Sequence, residues 1–430
     1  MMAPLRVAIA GLGTVGAAVA NILISQKDLI SARCGREIKL VAVSAQDRSR
    51  DRGLDLSESE WYADAAEMAT RANADVVVEL IGGADGIARE VCSNAIAGGR
   101  HVITANKAML AMHGTMLARA AEKANVALGY EASVAGGIPV IKALREGFAG
   151  NRVSSIHGIL NGTCNYILTT MRETGRNFDD VLSEAQKLGY AEADPTLDVD
   201  GIDAAHKIAL LASVAFGTEV DFGSVHVEGI RHITADDIEF ADELGFRIKL
   251  LGIADYTECG IGQRVYPCMV PLDAPLAHVE GVFNAVVADC DAVGTSVLQG
   301  RGAGAGPTAS AVISDVVDVA RGSILPVFSV PASRLEIAKT VSLDTRKGAY
   351  YVRLTVLDRP GVIADVSAVL KDEEVSVEAL LQRGRSEEGA VPVVLTLHET
   401  VEHKMQRALT RITELETVVE PPCMIRIEHL

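Results

Sequence analysis

Residues 5 to 16 read LRVAIAGLGTVG, and the parsing of that stretch decides the fold. LRVAIA is a short apolar run containing β-branched residues, as a buried strand requires. GLGTVG then satisfies G-x-G-x-x-G, with Gly11 directly after the strand and Gly16 inside the helical periodicity that follows. In that context Gly11 makes the tight turn, Gly13 lets backbone approach a pyrophosphate and Gly16 permits close helix packing. The helix N-terminus adds partial positive charge, so Gly11, Leu12, Gly13, Thr14, Val15 and Gly16 form a candidate dinucleotide cradle. A glycine-rich turn with no ligand is the plainer alternative.

Working outward, EIKLVAVSA (37 to 45), ADVVVELIGG (74 to 83), HVITANK (101 to 107) and NVALGYEASV (125 to 134) read as four more strands separated by helical segments. Strands alternating with helices predict a doubly wound parallel sheet, a Rossmann-type NAD(P)-binding domain over 1–150. Longer helices and mixed strands predict an α+β substrate-binding and dimerisation domain over 151–325, whose final stretch, 300–325, packs back on the nucleotide domain. The polar, irregular stretch 326–348 reads as a linker. Over 349–430 the order strand, helix, strand (VSVEALLQRG, 375 to 384), strand, helix, strand predicts a separate ferredoxin-like module.

A net charge of −17 argues against nucleic acid and anionic membrane as partners. No apolar run approaches the roughly 18 residues of a membrane span, and the chain starts in a patterned strand rather than a signal peptide. A soluble, cytoplasmic protein is expected. Seven scattered cysteines without a CxxC suggest neither a disulfide framework nor zinc.

The strand end ITANK brings Lys107 to the carboxyl edge of the sheet, where ligands of open α/β folds bind. GYAEADPTLDVDGIDAAHK (189 to 207) crowds Glu192, Asp194, Asp198, Asp200 and Asp203 ahead of Lys207. Asp200 with Asp203 three residues on resembles a capping box, and Gly217 closes the helix. Asp203 and Lys207 stand four apart, so they share a face and can pair. The residues after Lys207 carry no polar stripe, so the helix is buried and the lysine loses hydration. Burial lowers its pKa and the carboxylate raises it, a balance suited to proton transfer; a structural ion pair is the alternative. Glu192, Asp194 and Asp198 precede the helix and invite a positive partner, such as a substrate ammonium.

Three further features stay open on the residues alone. The second strand ends without the acidic residue that binds the ribose of NAD, and Arg48, Arg50 and Arg52 follow it, which favours NADP with NAD as alternative. In NGTCNYIL, Cys164 stands at a helix start, where a thiolate nucleophile is one reading and a small buried residue the other. In EASVAGGIP (131 to 139) an acidic side chain and glycine-rich carbonyls match a hard-cation site or a plain turn.

Taken in order, GLGTVG, ELIGG, VITANK, EASVAGGIP, NGTCNYIL, GYAEADPTLDVDGIDAAHK and GAGAGPTASAV resemble the homoserine dehydrogenase family. The tail, with DRPGVIADVSAVL, resembles an ACT regulatory domain, as in the single-function form of that family. The resemblance implies NAD(P)H-dependent interconversion of L-aspartate 4-semialdehyde and L-homoserine in threonine, methionine and isoleucine biosynthesis. It implies Lys207 as proton donor, Lys107 near substrate and nicotinamide, Glu192 on the substrate ammonium, and Asp198 and Asp203 as orienting carboxylates. Gly189 would meet the cofactor through backbone, with the nicotinamide near Thr104, Asn161 and Thr163. Glu131 with the carbonyls of Val134, Gly136 and Ile138 would hold a monovalent cation, sodium or potassium. L-Threonine is the implied feedback effector, at the 358–361 turn, and a homodimer or homotetramer the expected assembly. Two rivals remain: a phosphorylating semialdehyde dehydrogenase working through Cys164, and a noncatalytic sensor of NAD(P) and an amino acid.

Overall fold

The computed structural model describes residues 3–383 and 389–430. Six parallel strands build the first sheet: β1 (Leu5–Ala10), β2 (Ile38–Ser44), β3 (Glu60–Tyr62), β4 (Val76–Glu79), β5 (His101–Thr104) and β6 (Leu128–Gly129). Their order is β3-β2-β1-β4-β5-β6, so the direction of winding switches between β1 and β4. A crevice opens at such a switch point, here beside Gly11. Val7, Ala8, Ile9 and Ala10 are fully buried because helices cover both faces. The helix Ala305–Ala320 supplies part of that cover: Ala309, Val312 and Val316 share one core with Val7, Ile9, Val19 and Leu23.

Two readings of this sheet need correction. β3, with Trp61, is three residues long, too short to leave a strand pattern in the sequence. The strand expected over 125–134 ends at Gly129, and Glu131–Ser133 forms a 3-10 turn. The chain leaves the sheet there because the Glu131 amide donates to buried Asp315 at 2.9 Å.

The second sheet begins with β7 (Val153–Ile159), β8 (His226–Val227), β9 (Phe246–Thr257), β10 (Gly260–Pro271), β11 (Phe283–Cys290) and β12 (Gly294–Arg301). β13 (Lys347–Leu357), β14 (Val377–Gln382), β15 (Ala390–Val401) and β16 (Cys423–Ile427) follow in the tail, and Gly384 of the expected strand 375–384 lies outside the described residues. The tail has the βαββαβ order, with sheet order β16-β13-β15-β14.

It keeps a core of its own, around Tyr350, Leu354, Val366, Leu395 and Met405, and its sheet is joined to that of the preceding domain. β16 pairs in parallel with β10, Cys268 opposite Arg426 and Met269 opposite Ile427, which makes one continuous sheet from β12 to β14. Buried charge holds the seam: Arg426 lies on Glu228 and Glu402 at 2.6 to 2.9 Å, and Arg353 on Asp237 at 2.7 Å. The stretch 326–348, expected as a linker, is hydrogen-bonded to both preceding domains. Tyr130 donates to the Val327 carbonyl, the Glu219 amide to Glu336 and the Ile261 amide to Lys339, so the segment is tied along its length. No helix among the described residues is long and apolar enough to cross a membrane.

Candidate active site

Each glycine of the first turn has its own steric reason. Gly11 has φ +97°, and a Cβ there would fall 2.6 Å from the Leu80 carbonyl oxygen. On Gly16 a Cβ would strike the Gly11 carbonyl at 1.9 Å. Gly13, N-cap of the Thr14–Ser25 helix, faces open space. An open approach to free helix amides suits an anionic pyrophosphate, so the loop fits a dinucleotide.

The arginines after β2 divide. Arg52 donates to the carbonyls of Leu12, Arg50 and Asp47 at 2.7 to 3.1 Å, so it fastens its loop to the cradle. Arg48 and Arg52 also lie 5.8 and 5.6 Å from the centre of the Trp61 ring, within cation–π range. Arg48 and Arg50 are exposed.

Across from this loop, one carboxylate clamps two lysines. Lys207 Nζ donates to Asp203 Oδ2 at 2.7 Å and to the Leu160 carbonyl at 2.6 Å, while Lys107 Nζ lies 3.0 Å from Asp203 Oδ1. Asn161 donates to Asp203 Oδ2 at 2.9 Å and to Asp198 Oδ1 at 2.7 Å, and Thr163 reaches Asp198 Oδ2 at 3.2 Å. Asp203 and Lys207 are each 8% exposed. Burial raises the Asp203 pKa, but the two ammonium groups outweigh it and hold the carboxyl well below the usual range. The same pairing raises Lys107. Asp198 is pushed up by burial and by its neighbour Asp203. Lys107 is therefore held as a cation in a site that keeps Asp203 ionised.

Local sequence explains the convergence. Asn161 is the N-cap of the helix Gly162–Thr174: its Oδ1 accepts the Cys164 amide at 2.8 Å, which turns Nδ2 toward the carboxylates. Lys207 follows Asp203 by one turn on the helix Ile202–Phe216. The cleft between clamp and cradle has a volume of about 660 Å³ and is lined by Val15, Lys107, Glu192, Asp198, Asp203 and Lys207, with Gly136 and Gly189 on its walls.

Comparison with known proteins gives this cleft its context. Residues 139–317 match the family model "Homoserine dehydrogenase", residues 11–131 match "Homoserine dehydrogenase, NAD binding domain", and residues 350–417 match "ACT domain". A homoserine dehydrogenase of Neisseria gonorrhoeae is 44% identical over 100% of both chains. The chain belongs to the homoserine dehydrogenase family. The crystal structure of a homoserine dehydrogenase from Thiobacillus denitrificans superposes with a TM-score of 0.93 at 42% identity, covering 99% of this chain and 98% of that one. A hyperthermophilic archaeal homoserine dehydrogenase in complex with NADPH matches with a TM-score of 0.63 at 28% identity, over 73% of this chain and 97% of that one. The protein is thus an NAD(P)-dependent oxidoreductase carrying a C-terminal ACT domain.

Within this homoserine dehydrogenase fold, several expected residues take other positions. Thr104 is buried away from the cleft, its hydroxyl donating to Glu79 at 2.5 Å. Leu12 is also buried and offers its carbonyl to Arg52. Asp200 does not cap the helix Ile202–Phe216: Gly201, at φ +83°, is the N-cap, and Asp200 accepts from Arg231 at 2.5 Å. Asp194 accepts the Thr196 amide at 3.1 Å, just before the short helix Thr196–Val199 whose N-cap is Pro195. Cys164 is fully buried, and burial pushes its thiol well up, opposite to what a nucleophile needs.

Glu131 is 2% exposed, and its two oxygens accept the amides of Ile141 and Lys142 at 2.9 Å each. Burial, with Asp315 nearby, pushes it up to about 7, and Asp315 itself rises to about 6. Ile138 lends its carbonyl to the Val140 amide at 2.8 Å. Two buried carboxylates with Lys142 alongside leave negative charge over, so the donor set fits a monovalent cation held through the loop's oxygens. The bridge that Asn161 makes between the two carboxylates has no mark in the sequence. The place of Asn161 before a helix start marks it as a cap, but nothing in the sequence says which acids its amide meets.

Proposed function

We propose that the chain interconverts L-aspartate 4-semialdehyde and L-homoserine, with Lys207 as the proton donor and Lys107 as the second cation at the reacting oxygen. The observation carrying this reading is the Asp203 clamp, which presents two ammonium groups to one cleft opposite the glycine loop. When bound, the nicotinamide supplies the hydride that the aldehyde carbon accepts. Lys207 Nζ uses two of its three N–H bonds on Leu160 and Asp203 and keeps the third for the aldehyde oxygen. As that oxygen gains negative charge, the two ammonium groups stabilise it and Lys207 transfers its proton, which solvent restores. Glu192, exposed on the cleft wall, receives the substrate ammonium, and Asp198 with Asn161 fixes the clamp.

Lys207→Met should lower turnover roughly 100- to 10,000-fold while leaving the dissociation constant of the reduced cofactor within about twofold. Unchanged turnover in that variant overturns the role of Lys207. Thioester chemistry at Cys164 instead requires phosphate, and a Cys164→Ser variant with full activity in phosphate-free buffer dismisses it.

The finer readings rest on the same geometry. NADP is favoured by exposed Arg48 and Arg50 beside the cradle, and rates of homoserine oxidation with NAD and NADP side by side test it. Glu131, Val134, Gly136 and Ile138 would hold sodium or potassium, which would stiffen the loop between β6 and the cleft. Thermal unfolding in sodium, potassium and choline chlorides tests that; equal midpoints in all three dismiss the site. The ACT domain supports control by an amino acid, with L-threonine as effector, and initial rates across a threonine titration test it.

A further inference from the structure

Glu79 ends β4 as a charged side chain with no exposure to solvent. An apolar residue would fill that place at less cost, because a buried carboxylate must find donors to replace water. The donors it finds are two backbone amides and a hydroxyl, and they lead to both sides of the crevice.

Oε1 accepts the amides of Ile81 and Gly82 at 2.7 and 3.1 Å. This pins the loop after β4, whose Leu80 carbonyl stands 2.6 Å from the place a Cβ on Gly11 would take. Oε2 accepts the Thr104 hydroxyl at 2.5 Å. With its only proton spent there, Thr104 Oγ1 accepts the Asn106 amide at 2.9 Å. Asn106 is the N-cap of the helix Lys107–Lys123: its Oδ1 accepts the Met109 amide at 3.0 Å, and its Nδ2 donates to the Gly83 carbonyl at 2.7 Å. Gly83 belongs to the loop that Glu79 pins, so the hydrogen bonds close a ring. Lys107 is the first residue of the helix that this ring starts, and its Nζ lies 3.0 Å from Asp203.

The ring depends on charge as well as shape. An ionised carboxylate only accepts, which fixes the direction of the Thr104 proton and leaves an oxygen lone pair for Asn106. In Glu79→Gln the side-chain oxygen would serve the two loop amides and the NH2 would turn toward Thr104. The hydroxyl would then meet a donor, and the Asn106 amide a competitor. We infer that Glu79 is a positioning residue for the reaction: through Thr104 and Asn106 its carboxylate fixes the start of the Lys107 helix, and so where Lys107 stands against Asp203. The inference rests on the reading of Lys107 as the second cation at the reacting oxygen.

The test is steady-state homoserine oxidation and cofactor titration of the full chain in Glu79→Gln, Thr104→Val, Thr104→Ser and the double variant Glu79→Gln/Thr104→Val, at a temperature where circular dichroism shows each folded. Glu79→Gln and Thr104→Val should each lower kcat about 10- to 100-fold, the upper figure being the cost of a misplacement of about 1 Å. Because both act on one chain of bonds, the double variant should fall no more than about twofold below the weaker single one. Thr104→Ser, which restores the hydroxyl, should stay within about threefold of the parent. Glu79→Gln keeps an acceptor for Ile81 and Gly82, so the dissociation constant of the reduced cofactor should also stay within about threefold. A purely structural carboxylate would lower the melting point and leave kcat of the folded enzyme alone. A kcat within about twofold of the parent in both single variants, or losses that multiply in the double variant, overturns the inference. Thr104→Val leaves the bonds of Oε1 in place and carries the test should Glu79→Gln fold poorly. Loss of turnover in Lys107→Met with none in Glu79→Gln overturns this inference alone, whereas full turnover in Lys107→Met overturns the reading it rests on.

Discussion

Asp203 is the residue on which the site balances. One carboxylate holds two ammonium groups, so removing its charge leaves both lysines facing each other with Lys207 buried. Breaking a buried pair by deleting one partner costs about 3–5 kcal/mol, and Asp203→Asn should lower the urea midpoint accordingly at pH 7. The sign of its pH dependence follows from the depressed folded pKa. Its contribution is fully present above the unfolded value near 4 and is lost as pH falls from there toward the folded value. Acid unfolding of Asp203→Asn should therefore be less steep below about pH 4 than that of the parent, as circular dichroism would show. The pairing with Lys207 was legible, because four residues on a helix bring side chains together whatever the fold. The bridge through Asn161 was not, since it joins residues 37 and 42 positions apart whose meeting depends on tertiary packing.

At the scale of single elements, capping proved the least legible feature. The pattern of Asp200 and Asp203 predicts a side-chain cap, yet the N-cap is Gly201, whose φ of +83° favours glycine and whose Cβ position lies a tight 3.1 to 3.3 Å from Val265, Val227 and the Glu228 carbonyl. Gly201→Ala adds that crowding to an αL conformation, so a loss of about 1–2 kcal/mol and a drop in turnover are expected together, read from urea unfolding and initial rates. The strand β9 carries a second testable lysine. Lys249 is 2% exposed, donating to the Val279 carbonyl at 2.7 Å and to Asn165 at 3.2 Å, and burial brings it down to about 8. The unfolded chain then binds more protons than the native one between pH 8 and the free-lysine value near 10.4, so stability rises with pH over that window. Lys249→Met should flatten that rise in urea unfolding measured at pH 8 and pH 10. Strand β6 shows the opposite limit of sequence reading: its apolar residues are right for a strand, and a buried hydrogen bond to Asp315 overrules them after Gly129.

For the whole molecule, periodicity and the glycine turn made the nucleotide domain readable, since both reflect local backbone needs. The order of elements in the tail was readable for the same reason. What could not be read was the seam, because β10 and β16 are joined by hydrogen bonds and by Arg426, Glu228 and Glu402, none of which leaves a periodic mark. Ending the chain at residue 345 should therefore do more than remove the ACT domain. It strips β16 from β10 and Glu428 from Tyr266, leaving an open strand edge, and the truncated protein should melt several degrees lower and scatter light on standing. A monodisperse truncation with an unchanged melting point would show that the seam contributes no stability. The shared sheet also sets an order on biosynthesis. Chains emerge N-terminus first, and the nucleotide domain has all its strands by Gly129. β10 must instead wait for β16, so the part of its edge beyond the short pairing with β8 stays open until residues 423–427 have been made.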